Sequence, residues 1–351
     1  MQGGSETNAL KIVQLSKKIN FDWLVLKSSN SELTKKIKSC SNLDNFISLE
    51  CNKIKTIKIF RCFYKLFIIL KKGEYKSVYA VGFLPSLFIS FLKIFFTFRF
   101  ISTRRERMSW AKFYHTPFIY LIYLISDYIE TNSKSIKNEL EASILTKKKV
   151  YFLQNIILKN NNSKHEIFKN NKRYIGNVAN VKKEKNIDLF LALALKMIEQ
   201  NKNLIFLLVG RDDANRKVKN FIKKNSIKDN LIILENISYD EIFSIYNGLD
   251  IFLFTSKYEG SPNVLFEAMS VSLPIVASRI FATEELIHSG VNGYLCDLEN
   301  ENEFIKKLNL LINNKNHYNK IKKNLKKHFN HFSSTDIAVK QIQDKIFQVS
   351  D

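Results

Sequence analysis

The chain has 351 residues, enough for two domains at roughly 100–200 residues each. Its residues are 45% hydrophobic and 25% charged, the balance of a globular protein, and 10 Gly with 4 Pro exclude collagen-like or low-complexity chains. Lys and Arg number 55 against 33 Asp and Glu, giving a net charge of +22 that suits nucleic acid, an anionic membrane surface or a phosphorylated substrate, or reflects compositional drift alone.

The charge is uneven. Residues 1–150 carry 26 bases and 11 acids, and residues 151–351 carry 29 and 22. Cys40, Cys51, Cys62 and Cys296 form no CxxC pair, which predicts neither a disulfide framework nor a metal site and points to a reducing compartment. Met1-Gln2-Gly3-Gly4-Ser5 lacks the basic and apolar regions of a secretory signal. The longest apolar stretch, Phe83 to Phe98, contains Pro85 and Lys93 and falls short of the roughly 18 residues a spanning helix needs.

Helix-like and strand-like segments alternate, the pattern of parallel sheets covered by helices. A helix is predicted from about Glu6 to Lys18, then a strand at Trp23–Leu26. A helix over Thr56–Lys72 follows, then strands at Ser77–Val81 and Phe98–Ser102 around a buried helix opened by Pro85. Tyr128–Thr131 and Val150–Leu153 are further strands. Lys159–Lys172, rich in Asn and Lys, reads as a linker. The alternation resumes with a strand at Tyr174-Ile175 and a helix over Asp188–Gln200. Strands at Leu204–Val209, Leu231–Leu234 and Ile251–Phe254, a helix from Pro262 and a strand at Pro274–Ala277 complete it. The prediction is two doubly wound α/β domains in series, residues 1–158 and 173–332.

The most informative stretch runs from Tyr258 to Met269. It follows a buried strand, so it lies where open α/β sheets bind ligands. Ser261 is predicted as N-cap and Pro262 as first helical residue, leaving the backbone N–H groups of Asn263, Val264 and Leu265 free to bind phosphate. The Glu267 carboxylate can accept two hydroxyl hydrogen bonds at once, as a ribose diol offers. An ordinary capped helix with two surface glutamates is the alternative.

The run Asp250–Leu298 closely resembles the donor-binding region of the family 4 glycosyltransferases, the large retaining GT-B group. Glu259 and Glu267 have that family's glutamate spacing. Glu259-Gly260, Pro262-Asn263-Val264, Glu267-Ala268-Met269, Leu273–Ser278 and Gly290–Leu295 follow its pattern. Weaker matches cover nearly the whole chain: Gly3-Gly4-Ser5-Glu6, Asp127-Tyr128-Ile129, Gly176-Asn177-Val178, Val209-Gly210-Arg211 and Tyr246–Asp250. The resemblance implies two Rossmann-like domains facing across a cleft, with residues 333–351 as a helix returning to the first. It also implies sugar transfer from a nucleotide-diphosphate sugar, UDP rather than GDP, to a saccharide or lipid-linked saccharide. Bacterial surface polysaccharide or lipopolysaccharide synthesis is the setting it suggests.

By the same resemblance Glu267 holds the ribose, Ser261, Pro262, Asn263 and Val264 meet the diphosphate, and Glu259 faces the sugar. Lys185 neutralises the leaving group, with Lys182 as competitor. Gly3, Gly4 and Gly176 line the donor, and Arg211 is a substitute phosphate ligand where Asn177 replaces an expected arginine. Arg105 faces the cleft from the first domain, or is a solvated loop cation. No metal and no cofactor besides the donor are expected; Asp212-Asp213 reads as a turn, and His328 with His331 lack a third ligand.

In the helix Thr56–Lys72, Lys58, Arg61, Lys65 and Lys72 share one face among Phe60, Tyr64 and Phe67, which suits an anionic membrane surface or is the solvated basic side of an ordinary sheet-covering helix. A cytoplasmic protein, peripheral on the inner face of the membrane, is the expectation, with no nucleic acid partner. The alternatives are a nucleotide-sugar epimerase, an inactive remnant, and a basic nucleic-acid-binding or scaffold protein. Because the expected glycine loop begins two residues after Met1, the first domain is expected to lack its central first strand, leaving a slot of roughly 10 Å.

Overall fold

The computed structural model describes residues 4–332 except 18, 27–31, 50–55, 106–110, 148, 158–163, 213–215 and 239–240. The chain divides into two compact units that meet in sequence at Ile156 and Ile157. Gly3 and residues 333–351 lie outside the described residues.

In the first unit the strands are β1 (Phe21–Val25), β2 (Leu43–Ser48), β3 (Ser77–Ala80), β4 (Arg99–Thr103), β5 (Tyr128–Thr131) and β6 (Val150–Phe152). All pairings are parallel, but they make two sheets: β1 with β2, and β3-β4-β5-β6 in that order. Among the described residues β1 and β3 are not paired with each other. The Tyr75 hydroxyl, donated to Asp22, ties β1 to the segment leading into β3, and burial beside that carboxylate raises the phenol's pKa. Gly4 opens a helix, Gly4–Leu15, whose Asn8 and buried Lys11 anchor it to Asn155 and the Ile156 carbonyl. The helix Thr56–Lys72 has the predicted limits and buries Cys62, Leu66 and Leu70 at helical spacing against Phe88, Leu92 and Phe100.

The second unit holds β7 (Arg173–Val178), β8 (Leu204–Val209), β9 (Leu231–Leu234), β10 (Ile251–Phe254), β11 (Ile275–Ser278) and β12 (Tyr294–Cys296). They form one parallel sheet in the order β12-β11-β10-β7-β8-β9, the doubly wound order that reverses direction between β7 and β10. β8 shows why a central parallel strand reads as a continuous apolar run. Leu204, Phe206 and Leu208 enter the core on one face, while Ile205, Leu207 and Val209 enter the core on the other. The helix Ile187–Gln200 covers the first face with Ile187, Phe190, Leu191, Ala194 and Ile198.

Two strands escape the sequence pattern. β2 reads Leu-Asp-Asn-Phe-Ile-Ser, its apolar run broken by two polar residues, and β12 has only three residues at a sheet edge. The segment read as linker is packed from residue 164 on: the Phe168 ring lies 4.7 Å from that of Tyr174 and leaves no room for a side chain at Gly248.

Among the described residues Cys40 and Cys296 are free thiols. Burial pushes the Cys296 thiol up to about 12. Thiol alkylation of the folded chain at pH 8 is therefore expected to modify Cys40 and to reach Cys296 only on unfolding. Mass spectrometry of the labelled peptides checks this.

Candidate functional site

The carboxyl ends of β7 and β10 flank the point where strand order reverses, so the residues just beyond them occupy the site such sheets offer to ligands. Asn177, near the end of β7, donates from Nδ2 to Thr255 Oγ1 across this point at 3.3 Å, and both side chains are buried. The Thr255 hydroxyl donates to the Lys185 carbonyl at 3.1 Å, and the Lys257 amide bonds the Glu184 carbonyl at 2.8 Å. The loop after β7 is thus stitched to the loop after β10.

That stitching presents Lys185. A single 3₁₀ turn, Lys183–Lys185, ends at Asn186, whose left-handed backbone (φ 48°) lets the helix Ile187–Gln200 start at once. Lys185 Nζ then pairs with the Glu259 carboxylate, which also accepts from Ser256 Oγ at 3.2 Å. Both partners are half-buried, while Lys182 is exposed. Of the two lysines in question, Lys185 is the one in contact with Glu259. Ser278 Oγ, donated to the Ser256 carbonyl at 2.6 Å, fixes this loop to the end of β11.

The helix beyond begins one residue later than predicted. Asn263 is its first residue, Pro262 takes the N-cap position in extended conformation, and no side chain caps it. Ser261 therefore stands one residue before the N-cap position, and the proline ring, fixed near φ −75°, occupies that position itself. The half-buried start of Asn263–Ser270, at Asn263 and Val264, follows directly on the loop that carries Glu259. Glu267, one turn further in, is only 6% exposed, and its Oε2 accepts the Tyr246 hydroxyl at 2.9 Å.

Arg211 follows β8. Its amide bonds Asn180 Oδ1 at 3.0 Å and its carbonyl accepts the Val181 amide, so its backbone braces the loop that carries Lys185. Gly210 is what allows this approach, since a Cβ there would stand 2.1 Å from the Ala179 carbonyl oxygen. Gly210→Ala is expected to destabilise the second unit by about 2 kcal/mol or more, the upper part of the single-substitution range, measured by urea unfolding. Gly176 lies within β7, paired with Phe252, and gives its space to the Leu249 side chain. Asp212 caps the helix Lys217–Asn225 by accepting from the Val218 and Lys219 amides at 2.9 and 3.1 Å. Beside it, a hydrogen bond from Lys219, helped by the Asp212 amide, holds the Glu235 carboxyl below its usual pKa.

Arg105 belongs to the first unit and is not a solvated loop cation. Its Nε donates to Glu130 Oε2 at 3.0 Å and its Nη2 to the Tyr79 hydroxyl at 2.8 Å, with Glu130 fully buried. Burial opposes its charge, and Glu130 with Tyr79 outweighs that, so its pKa is raised. Gly4 starts a helix in the same unit. The His328 ring stacks edge-on against His288 at 5.5 Å. Among the described residues no three His, Cys, Asp or Glu side chains group as metal ligands.

The sequence reading left Tyr246, Asn177, Thr255 and Ser256 without roles. Asn177 registered only as a missing arginine, and the Tyr246 and Thr255 side chains bond partners 21 and 78 residues away in sequence.

The profile of a family described as "Glycosyl transferases group 1" matches residues 159–328, almost the whole second unit. An uncharacterized glycosyltransferase of Methanocaldococcus jannaschii is 29% identical over 190 residues, 54% of this chain and 50% of that protein. The capsular polysaccharide biosynthesis glycosyltransferase CapM of Staphylococcus aureus is 22% identical over 236 residues, 61% of each chain. The chain thus spans half to three fifths of the length of these curated relatives. The crystal structure of Anabaena HepE in complex with UDP shares the fold with a TM-score of 0.78 and 14% identity, over 97% of this chain and 95% of that one.

Proposed function

We propose, from a chain whose residues 159–328 match the profile of the glycosyl transferases group 1 family, that this protein is a retaining glycosyltransferase. It moves a sugar from a nucleotide-diphosphate donor, UDP rather than GDP, to a saccharide or lipid-linked saccharide acceptor. The setting is bacterial surface polysaccharide or lipopolysaccharide synthesis. The observation that carries this reading is the Lys185–Glu259 pair beside the N-terminus of Asn263–Ser270, at the switch point of the second sheet. The UDP held by the HepE structure supports the choice of nucleotide, and the CapM relative supports the polysaccharide setting.

In the transfer, the bond from the anomeric carbon to the diphosphate oxygen breaks. The acceptor oxygen bonds that carbon on the face the diphosphate leaves, and its proton passes to the leaving group. Negative charge gathers on the diphosphate as it departs. Lys185, with the backbone N–H groups at the helix start, is placed to meet that charge. Glu259, tethered by Ser256, faces the sugar, and Glu267 receives the ribose hydroxyls. No step needs a metal ion, because a fixed ammonium and a helix terminus supply the positive potential.

The test is to incubate the chain with UDP-sugars and GDP-sugars and saccharide primers, then read the product's anomeric configuration by NMR coupling constants. A product with the donor's configuration is expected. An inverted product refutes retention, and interconversion of the free nucleotide sugar without transfer identifies an epimerase instead.

A further inference from the structure

The helices Thr56–Lys72, Phe83–Leu92 and Thr116–Ile125 of the first unit contain no acidic residue. From residue 56 to residue 126 the sequence holds twelve Lys and Arg against two Glu. The helices touch: Phe63 meets Phe88 at 6.0 Å, and Phe83 and Leu87 join Ile119 and Ile122. Their outer side is apolar where solvent would predict polar residues. Phe60, Tyr64, Ile94, Phe95 and Leu124 are each more than half exposed, and Ile94 reaches 74%. The patch is continuous, since Phe67 contacts both Phe95 and Phe96, and Ile94 and Leu124 border one depression of about 750 Å³. Cations fringe it, with exposed Arg61 and Lys65 beside Phe60 and Tyr64, and Lys93, Arg99 and Lys149 around the depression against one acid, Asp127.

We propose that this helical face docks on an anionic lipid bilayer. Phe and Tyr rings with neighbouring aliphatic side chains enter the headgroup boundary, and the surrounding cations meet lipid phosphates. No helix among the described residues is long and apolar enough to cross a membrane, so the contact is peripheral. A second copy of the chain is a poor occupant, because a symmetric contact would set two cation fringes against each other. The docking stands apart from sugar transfer, and its test needs no nucleotide.

The experiment is cosedimentation of the full chain with phosphatidylcholine vesicles, with and without phosphatidylglycerol. Binding only where phosphatidylglycerol is present, weakening with salt, is the expected result. Each surface cation contributes about fivefold in affinity, so Arg61→Gln with Lys65→Gln should bind roughly thirtyfold more weakly. Ile94→Ser with Phe95→Ser and Leu124→Ser should lose binding while keeping the wild-type melting curve, since these side chains are exposed. Wild-type chain left in the supernatant at low salt overturns the proposal. So does unchanged binding by both variants, or a dimer in solution that the serine variant dissolves while no form binds vesicles.

Discussion

Lys185→Ala is expected to lower kcat by about 10²–10³ while nucleotide binding weakens far less. Its ammonium is fixed by the Glu259 carboxylate on a loop stitched to the end of β10, so no reorganisation is needed as charge develops on the leaving diphosphate. The substitution also strips Glu259 of its partner, leaving a half-buried carboxylate where negative charge is about to accumulate, and the two effects add. Lys182→Ala is the control. Lys182 is exposed and touches neither Glu259 nor Thr255, so its loss should change kcat by less than about threefold. Turnover followed by nucleoside diphosphate release, with binding followed by calorimetry, separates the two. A silent Lys185→Ala beside an impaired Lys182→Ala would overturn this assignment and give the role to Lys182.

Glu267→Ala is expected to abolish measurable UDP binding and also to destabilise the second unit by about 1–3 kcal/mol. The stability cost arises because Glu267 is buried and accepts the hydroxyl of Tyr246, a residue 1% exposed in the core with Phe243 and Phe252. Removing the carboxylate leaves that hydroxyl buried without its acceptor. Tyr246→Phe isolates the structural share, since it deletes the hydrogen bond and leaves the carboxylate in place. It should cost about 1 kcal/mol of stability and retain UDP binding. Equal loss of UDP binding in Tyr246→Phe and Glu267→Ala would make Glu267 a support for the helix rather than a ligand of ribose.

Much of this architecture is legible in the chain. The all-apolar run Leu204–Val209, short and followed by Gly210, suits a strand buried on both faces, and Thr56–Lys72 declares its helix by its spacing. The glutamate pair, the proline and the asparagine lie in the loop and helix that follow β10, as read from the chain, though the helix starts one residue later than expected. A proline can serve as N-cap or first helical residue, and local sequence does not choose between them. What stayed hidden depends on partners distant in sequence. Nothing near Arg105 announces that Glu130 and Tyr79 bury it, and nothing near Glu267 announces Tyr246. β12 was invisible because three residues carry too little pattern; pairing with β11 makes them a strand.

Hydrogen–deuterium exchange of the full chain with and without UDP tests the central assignment most directly, because it reads where the nucleotide sits rather than whether turnover occurs. Slowed exchange at residues 182–187 and 255–267 is the predicted result, with β8 and the helix Ile187–Gln200 unchanged because their amides are already protected. UDP binding with no added protection at those two loops, or with protection elsewhere in the second unit, would contradict it.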